Sequence, residues 1–171
     1  MRSATCLIAT ALASAFIAPA QAATLTKYFE YSPGDACQLS IPTTDTQVRP
    51  RANGYRNEGT SNQFVICGMG GYENGTVVSM IFLNTSTDGQ AHTMSCTGVT
   101  GLVGWGGPYY STKTLIVPAS SYSYEIWDAE DFGGTAGQPI YGGINLSVTC
   151  TVPPGVALQG FESENLVDVG N

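Results

Sequence analysis

Apolar and polar residues alternate along most of this chain with a period of two. Ile144, Leu146, Val148 and Cys150 share one face of such a segment, and Asn145, Ser147, Thr149 and Thr151 share the other. Residues 121–126 are equally regular, with Tyr122, Tyr124 and Ile126 opposite Ser121, Ser123 and Glu125. Val77 to Leu83 (VVSMIFL) is nearly continuous in apolar character, which suits a central strand covered on both sides. Taken along the chain, the pattern predicts strands at roughly 25–31, 63–67, 76–84, 90–98, 112–117, 121–128, 144–151 and 156–162, separated by Gly, Pro, Asn and Asp clusters. Beyond the first 22 residues, no stretch places apolar residues at i, i+3, i+4 and i+7 free of Gly, Pro and β-branched runs, so helix is nearly absent. These elements predict an all-β fold, an antiparallel β-sandwich, Ig-like or jelly-roll-like, of about eight strands. The segment Ser40 to Gly59, with Pro42, Pro50, Arg49, Arg51 and Arg56, reads as an extended surface loop whose arginines are solvated, recognition of an acidic partner being the alternative.

The N-terminus has a different pattern. Arg2 supplies a positive start, Cys6 to Ile17 is uncharged and rich in Ala and Leu, and Ala20-Gln21-Ala22 is a small-x-small cleavage site. Residues 1–22 are expected to be a secretory signal peptide and 23–171 a single domain, secreted or periplasmic, with no membrane span after cleavage. The apolar stretch is shorter than the roughly 20 residues of a bilayer span. Cys6 precedes the apolar region, whereas a lipoprotein cysteine would follow it. Cleavage removes one of five cysteines and leaves Cys37, Cys67, Cys96 and Cys150. An even number in an exported chain implies two disulfides, and the absence of CxxC spacing argues against a redox centre or zinc knuckle. Of the three possible pairings, Cys37–Cys67 with Cys96–Cys150 is favoured, because each then links segments flanked by strand patterns.

Composition narrows the partners. Among 171 residues only 11% are charged, and the formal net charge is −7, becoming −8 when Arg2 is lost. That balance argues against nucleic acid or anionic lipid, and polyanions should be repelled. The glycine clusters Gly68-Met69-Gly70-Gly71, Gly104-Trp105-Gly106-Gly107-Pro108, Gly133-Gly134 and Gly142-Gly143 are turns and loops. None is a phosphate cradle, since no GxxxxGK[ST] occurs and no helix follows. No cofactor is expected, and the single histidine, His92, excludes a multi-histidine metal site. His92 shares its parity with Met94 and Cys96 and lacks a GxSxG partner, so a structural place facing the core side or at a strand end is expected.

Phe64-Val65-Ile66-Cys67, Met94-Ser95-Cys96-Thr97 and Val148-Thr149-Cys150-Thr151-Val152-Pro153-Pro154-Gly155, with Asn53-Gly54 and Asn57 upstream, resemble a loose group of small exported proteins of Gram-negative bacteria. In that group four cysteines sit in a β-sandwich and the last leads into a Leu/Val-Pro-Pro-Gly turn. The resemblance covers most of residues 35–165. It implies a scaffold and carries no activity.

Candidate chemistry concentrates in Glu125-Ile126-Trp127-Asp128-Ala129-Glu130-Asp131. Continuing the alternation from Ser121 puts Trp127 with Glu125 on the polar face, and an exposed indole beside Glu125 and Asp128 is a surface that stacks on a sugar ring. Trp105, Tyr109 and Tyr110, in a glycine-rich loop, would extend it. The competing reading tucks Trp127 under a neighbouring loop and leaves the acids as a solvated turn. A third reading has Asp128, Glu130 and Asp131 hold Ca²⁺ without EF-hand spacing. A glycosidase needs two carboxylates about 5–10 Å apart across a cleft, and thirteen acids make such a pair uninformative. The leading expectation is an exported, non-enzymatic β-sandwich acting by surface contact with a cell-envelope protein, or as a structural module. The rival is a carbohydrate-binding module or small glycan-active enzyme with a glycan as partner.

Overall fold

A computed structural model describes residues 23–41, 47–69, 75–104, 106–141 and 145–170; the expected signal peptide, Trp105 and Gly142-Gly143 lie outside them. Strands form where alternation predicts them: β1 (Thr24–Tyr31), β5 (Gln63–Met69), β6 (Gly75–Ser86), β7 (His92–Thr100), β8 (Tyr109–Val117), β9 (Tyr122–Asp128), β10 (Leu146–Val152) and β11 (Val156–Asp168). Helix is confined to one turn, α1 (Pro33–Ala36), and a 3₁₀ turn at Glu130–Phe132. Three further strands, β2 (Cys37–Leu39), β3 (Val48–Arg51) and β4 (Gly54–Asn57), bring the total among the described residues to eleven instead of about eight.

The hairpin β3–β4 corrects the expectation of an extended loop over 40–59; residues 42–46 of that segment lie outside the described residues. Strands of three or four residues are too short for their alternation to be read, and two side-chain effects hold them. Asn57 is buried, and its amide donates to the backbone oxygens of Val152 and Ser61 at 2.8 and 2.9 Å, tying the hairpin to β10. Gly54, at φ +130°, lies so close to β11 that a Cβ would meet the Leu158 oxygen.

Two sheets face each other. One has the order β3-β4-β11-β6-β9, with β1 also paired to β11, and the other has the order β2-β5-β10-β7-β8. The long strand β11 pairs with β6 along one edge, while its other edge is shared by β4 at one end and β1 at the other. Both predicted disulfides form in the second sheet, where Cys37–Cys67 and Cys96–Cys150 join residues directly opposite each other on adjacent strands. Their sulfurs are buried in the sandwich core, where constraining the unfolded chain contributes roughly 3–4 kcal/mol each.

The largest fully buried side chains among the described residues are aromatic. Phe82 and Phe161, paired across β6 and β11, meet edge-to-face at 4.4 Å. Trp127 on β9 is the largest fully buried side chain among the described residues, with its indole N–H donating to the Ser111 oxygen of β8 at 3.0 Å. Its ring lies flat on Gly98 of β7, where a Cβ would come within 2.7 Å of the ring carbon Cδ1. Gly98 is therefore required for close approach of the two sheets, since any side chain there would push the indole out.

At the other end of β7, the turn from β6 is organised by Asp88. Its carboxylate accepts from the His92 ring at 2.9 Å, the Gln90 N–H and the Ser86 hydroxyl. The histidine sits half-buried at the strand end with core parity, as its spacing with Met94 and Cys96 predicts.

Two outcomes test this packing. Gly98→Ala should destabilise the fold by roughly 1–3 kcal/mol, the cost of overpacking a core, in urea unfolding; a midpoint equal to wild type would mean that the indole is not wedged there. The bond to His92, followed by those to Gln90 and Ser86, holds Asp88 down to about 2 from its ordinary 3.8. The turn's electrostatic contribution is thus complete above the unfolded value and lost as pH falls from there through the folded one. A carboxyl-carbon NMR titration should place the Asp88 midpoint near 2, and a midpoint at the ordinary value would show that the turn is not formed as described.

Candidate functional site

Every strand that faces a core on one side must put something on the other. On β9 the alternation is as read, but the faces are exchanged: Trp127 and Glu125 point inward, and Tyr122, Tyr124 and Ile126 point out. An indole buries more apolar area than any other side chain in this stretch and finds its acceptor at Ser111, so it sets the phase of the strand. The exposed Trp127 expected beside Glu125 and Asp128 is therefore corrected. At 0% exposure the indole has no surface on which a ligand could stack.

The neighbouring acids are organised around a lysine instead of an empty cation site. Lys113 of β8 reaches Asp131 at 3.0 Å and Glu125 at 3.3 Å, and donates to the Ile126 oxygen at 2.6 Å. Burial lowers the Lys113 pKa, but Asp131 and Glu125 together outweigh it and raise the pKa above the ordinary value, so the ammonium is charged at neutral pH. Asp131 also accepts from the Asp128 N–H, and Asp128 from the Glu130 N–H. The Ca²⁺ arrangement of Asp128, Glu130 and Asp131 does not form: among the described residues no three His, Cys, Asp or Glu side chains are grouped to hold a metal ion.

The expected aromatic platform is dispersed as well. Tyr109 and Tyr110 are adjacent on β8 and point to opposite faces: Tyr109 is half-buried with its ring edge-to-face on Tyr141 at 5.3 Å, and Tyr110 is exposed on the outside of the second sheet. Trp105 lies outside the described residues.

A different surface brings chemistry together. The outer face of the first sheet is lined along its edge by Tyr122 and Tyr124, 63% and 59% exposed and about 6.5 Å apart by strand rise, followed by Ile126. Beside them on β6 lie Thr85, Leu83 and Ile81, paired respectively with Tyr122, Tyr124 and Ile126. This corrects the reading of β6 as covered on both sides. It is flanked by β11 and β9 and sends Val77, Met80, Phe82 and Asn84 inward, while the outward Ile81 and Leu83 are half-buried. Next comes β11, with Gly160 opposite Leu83, Glu162 opposite Ile81 and Glu164 opposite Ser79. The far rim is Tyr28 and Glu30 of β1 at one end and the turn before β4 at the other.

Two depressions open in this face, and each sits on a β-bulge. One, of about 390 Å³, has Leu83, Gln159 and Gly160 on its floor and Glu30, Glu162 and Asn53 around it. It lies where the β11–β6 register shifts between Leu158 and Gly160. The other, of about 520 Å³, is lined by Ile81, Ile126, Val78, Tyr28, Glu164 and Asp128 among others, and lies at the second shift, between Glu164 and Asn165. A bulge breaks the ladder and re-aims side chains. At the first, the adjacent Gly160 leaves the sheet surface bare between the tyrosine edge and the β1 rim. At the second, Ser79 donates to Glu164 at 3.0 Å and holds that carboxylate across the floor. The result is an open trough with an aromatic edge, an apolar floor and carboxylate acceptors.

No protein-family model matches the chain, and no curated protein does. Among solved structures it is similar to the Podospora anserina GH26-CBM35 β-(1,4)-mannanase, at 7% identity and TM-score 0.40, over 84% of this chain and 28% of that one. It is also similar to a CBM4 structure, at 10% identity and TM-score 0.35 over 82% and 85% of the two chains. The Clostridium thermocellum family 11 carbohydrate-binding module, in complex with a β-1,3-1,4-mixed-linked tetrasaccharide, aligns at 13% identity and TM-score 0.36 over 83% and 88%. The chain spans less than a third of the mannanase. TM-scores at this level carry no inference about ancestry or ligand, and the function is read from this chain's own side chains.

Because Lys113 already pairs with Glu125 and Asp131 and the acids do not converge on one point, neither added Ca²⁺ nor EDTA should move the thermal midpoint. A calcium-dependent rise would show a cation site among Asp128, Glu130 and Asp131.

Proposed function

We propose that this chain is an exported glycan-binding β-sandwich whose ligand lies in the trough on the outer face of the first sheet. The observation that carries this reading is the placement of Tyr122 and Tyr124, fully presented on one face, beside a floor that includes Leu83 and Gly160 and carboxylates at Glu162 and Glu164. A sugar ring has an apolar C–H face and a rim of hydroxyl donors. The tyrosines and Leu83 match the first, and Glu30, Glu162 and Glu164 accept from the second. A protein-binding patch would be flatter and depleted of charge at its centre. The trough instead keeps acidic side chains within its depressions, whose volumes fall in the range of about 300–1,000 Å³ typical of small-molecule sites.

Export is supported by the N-terminal sequence and by two disulfides, which persist in oxidising compartments. Among the described residues no helix is long and apolar enough to cross a membrane.

Affinity electrophoresis through gels containing a panel of neutral polysaccharides (mixed-linked β-glucan, xylan, mannan, galactan) tests the reading. At least one should retard the protein, and Tyr124→Ala should weaken that retardation roughly five- to thirtyfold, as expected for truncating a central aromatic contact, with an unchanged thermal midpoint. Tyr110→Ala, on the opposite sheet, should leave it intact. Retardation by none of the polymers, or by all equally in Tyr124→Ala and wild type, would contradict the proposal.

A further inference from the structure

Three of the chain's six basic residues, Arg49, Arg51 and Arg56, fall on one hairpin of an otherwise acidic protein. The hairpin β3–β4 aligns Arg49 directly opposite Arg56, on the outward face. Two like charges at that spacing repel and destabilise a strand pair unless something compensates them. Arg51 has its own partner, its Nε donating to the Glu58 carboxylate at 2.8 Å. Glu58 is held below the ordinary carboxylate range first by that bond, against some opposing burial, and then by the charges of Arg51, Arg56 and Arg49. One carboxylate thus serves three guanidinium groups. Among the described residues, no carboxylate lies within ion-pair distance of Arg49 or Arg56.

Arg56 is also held in place. It is half-buried, its Nη2 donates to Asn53 Oδ1 at 2.6 Å, and its Nε is shielded from solvent with no acceptor among the described atoms. Asn53 itself lines the depression floored by Leu83 and Gly160. The guanidinium therefore stands, anchored and without an ion-pair partner among the described residues, at the end of the trough that Tyr122 occupies on the opposite edge, in the register row Tyr122, Thr85, Ala157, Arg56, Arg49, of which Ala157 is covered. One row of outward side chains further on is Leu83 with Gly160, and beyond it lie Ile81, Glu162 and Glu30. The trough is graded in charge along its length, positive at the hairpin and negative toward β1.

We propose that the trough selects a glycan bearing a single carboxylate, a hexuronate unit, with its carboxylate at Arg56 and Arg49 and its hydroxyls toward Glu162 and Glu30. This inference rests on the glycan reading above and adds the substrate class. Both ends of the charge gradient are needed for it. The arginines hold one anion against water through fixed donors, and the row of glutamates, together with the net charge of −7, disfavours a second. A sugar with one negative group fits such a gradient, and a dense polyanion does not.

The test is a pair of NMR titrations at low salt with glucuronate and with glucose, following the Arg56 Nε–H and the Tyr124 ring resonances. Both sugars should shift Tyr124. Only glucuronate should shift Arg56 Nε–H, with an affinity advantage over glucose of roughly two- to fivefold, the range of one partly exposed charge contact. Arg49→Gln, an exposed substitution, should reduce that advantage, and Arg56→Gln should abolish it. Equal affinity for the two sugars, or an advantage that survives Arg56→Gln, overturns the inference and leaves the trough as a neutral-glycan site. If Tyr124 responds to neither sugar and no polysaccharide retards the protein, the glycan reading falls and this inference falls with it.

Discussion

The outward face of the first sheet has its character because one residue on its edge strand must point inward. Trp127 lies flat on Gly98, bonds to the Ser111 oxygen, and has Lys113 5.7 Å from its ring centroid. It bridges the edge of one sheet to two strands of the other. With that residue committed, period-two geometry leaves no choice for Tyr122, Tyr124 and Ile126. Their exposure is the geometric consequence of a core contact, and the stability of the sandwich and the presentation of the tyrosines share one cause. Lys113 secures the same edge from outside by joining the Ile126 oxygen to Glu125 and Asp131.

Fold class was legible because it depends on features that a linear sequence displays: period-two alternation, turn residues between strands and an even set of cysteines after residue 22. The phase of β9 was not. Ser121, Ser123 and Glu125 look like a solvent face, and tyrosines and isoleucine like a core face, when each residue is judged by its own polarity. What decides the matter is the pairing of one large indole with a glycine 29 positions away in sequence, a relation between strands that no local pattern contains. The hairpin β3–β4 was hidden for a different reason. Its strands have four residues each, and proline and arginine mask their alternation. Asn53-Gly54 nevertheless carried a hairpin signal, and Gly54 is required by the approach of β11.

The trough itself did have a trace in the sequence. The run Val77 to Leu83 reads as a strand covered on both faces, but an antiparallel sandwich of two sheets covers only one. Apolar residues left over on the second face mark a surface with another use. Ile81 and Leu83 are those residues, and the two β-bulges between β6 and β11 turn their surroundings from a flat sheet into two depressions. Low overall charge also takes on a meaning. The few charged groups are concentrated, with arginines at one end of the trough, glutamates along it, and the Lys113 cluster at the sandwich edge.

The central claim is that Trp127 is committed to the core while Tyr122 and Tyr124 form the contact surface. Hydroxyl-radical footprinting of the folded protein, with and without a polysaccharide that retards it, tests that claim most directly. In the free protein Tyr122 and Tyr124 should be oxidised and Trp127 spared, and the polysaccharide should protect both tyrosines while leaving Tyr110 on the opposite sheet reactive. Oxidation of Trp127 in the free protein, or protection of Tyr110 in place of Tyr122 and Tyr124, would contradict the account.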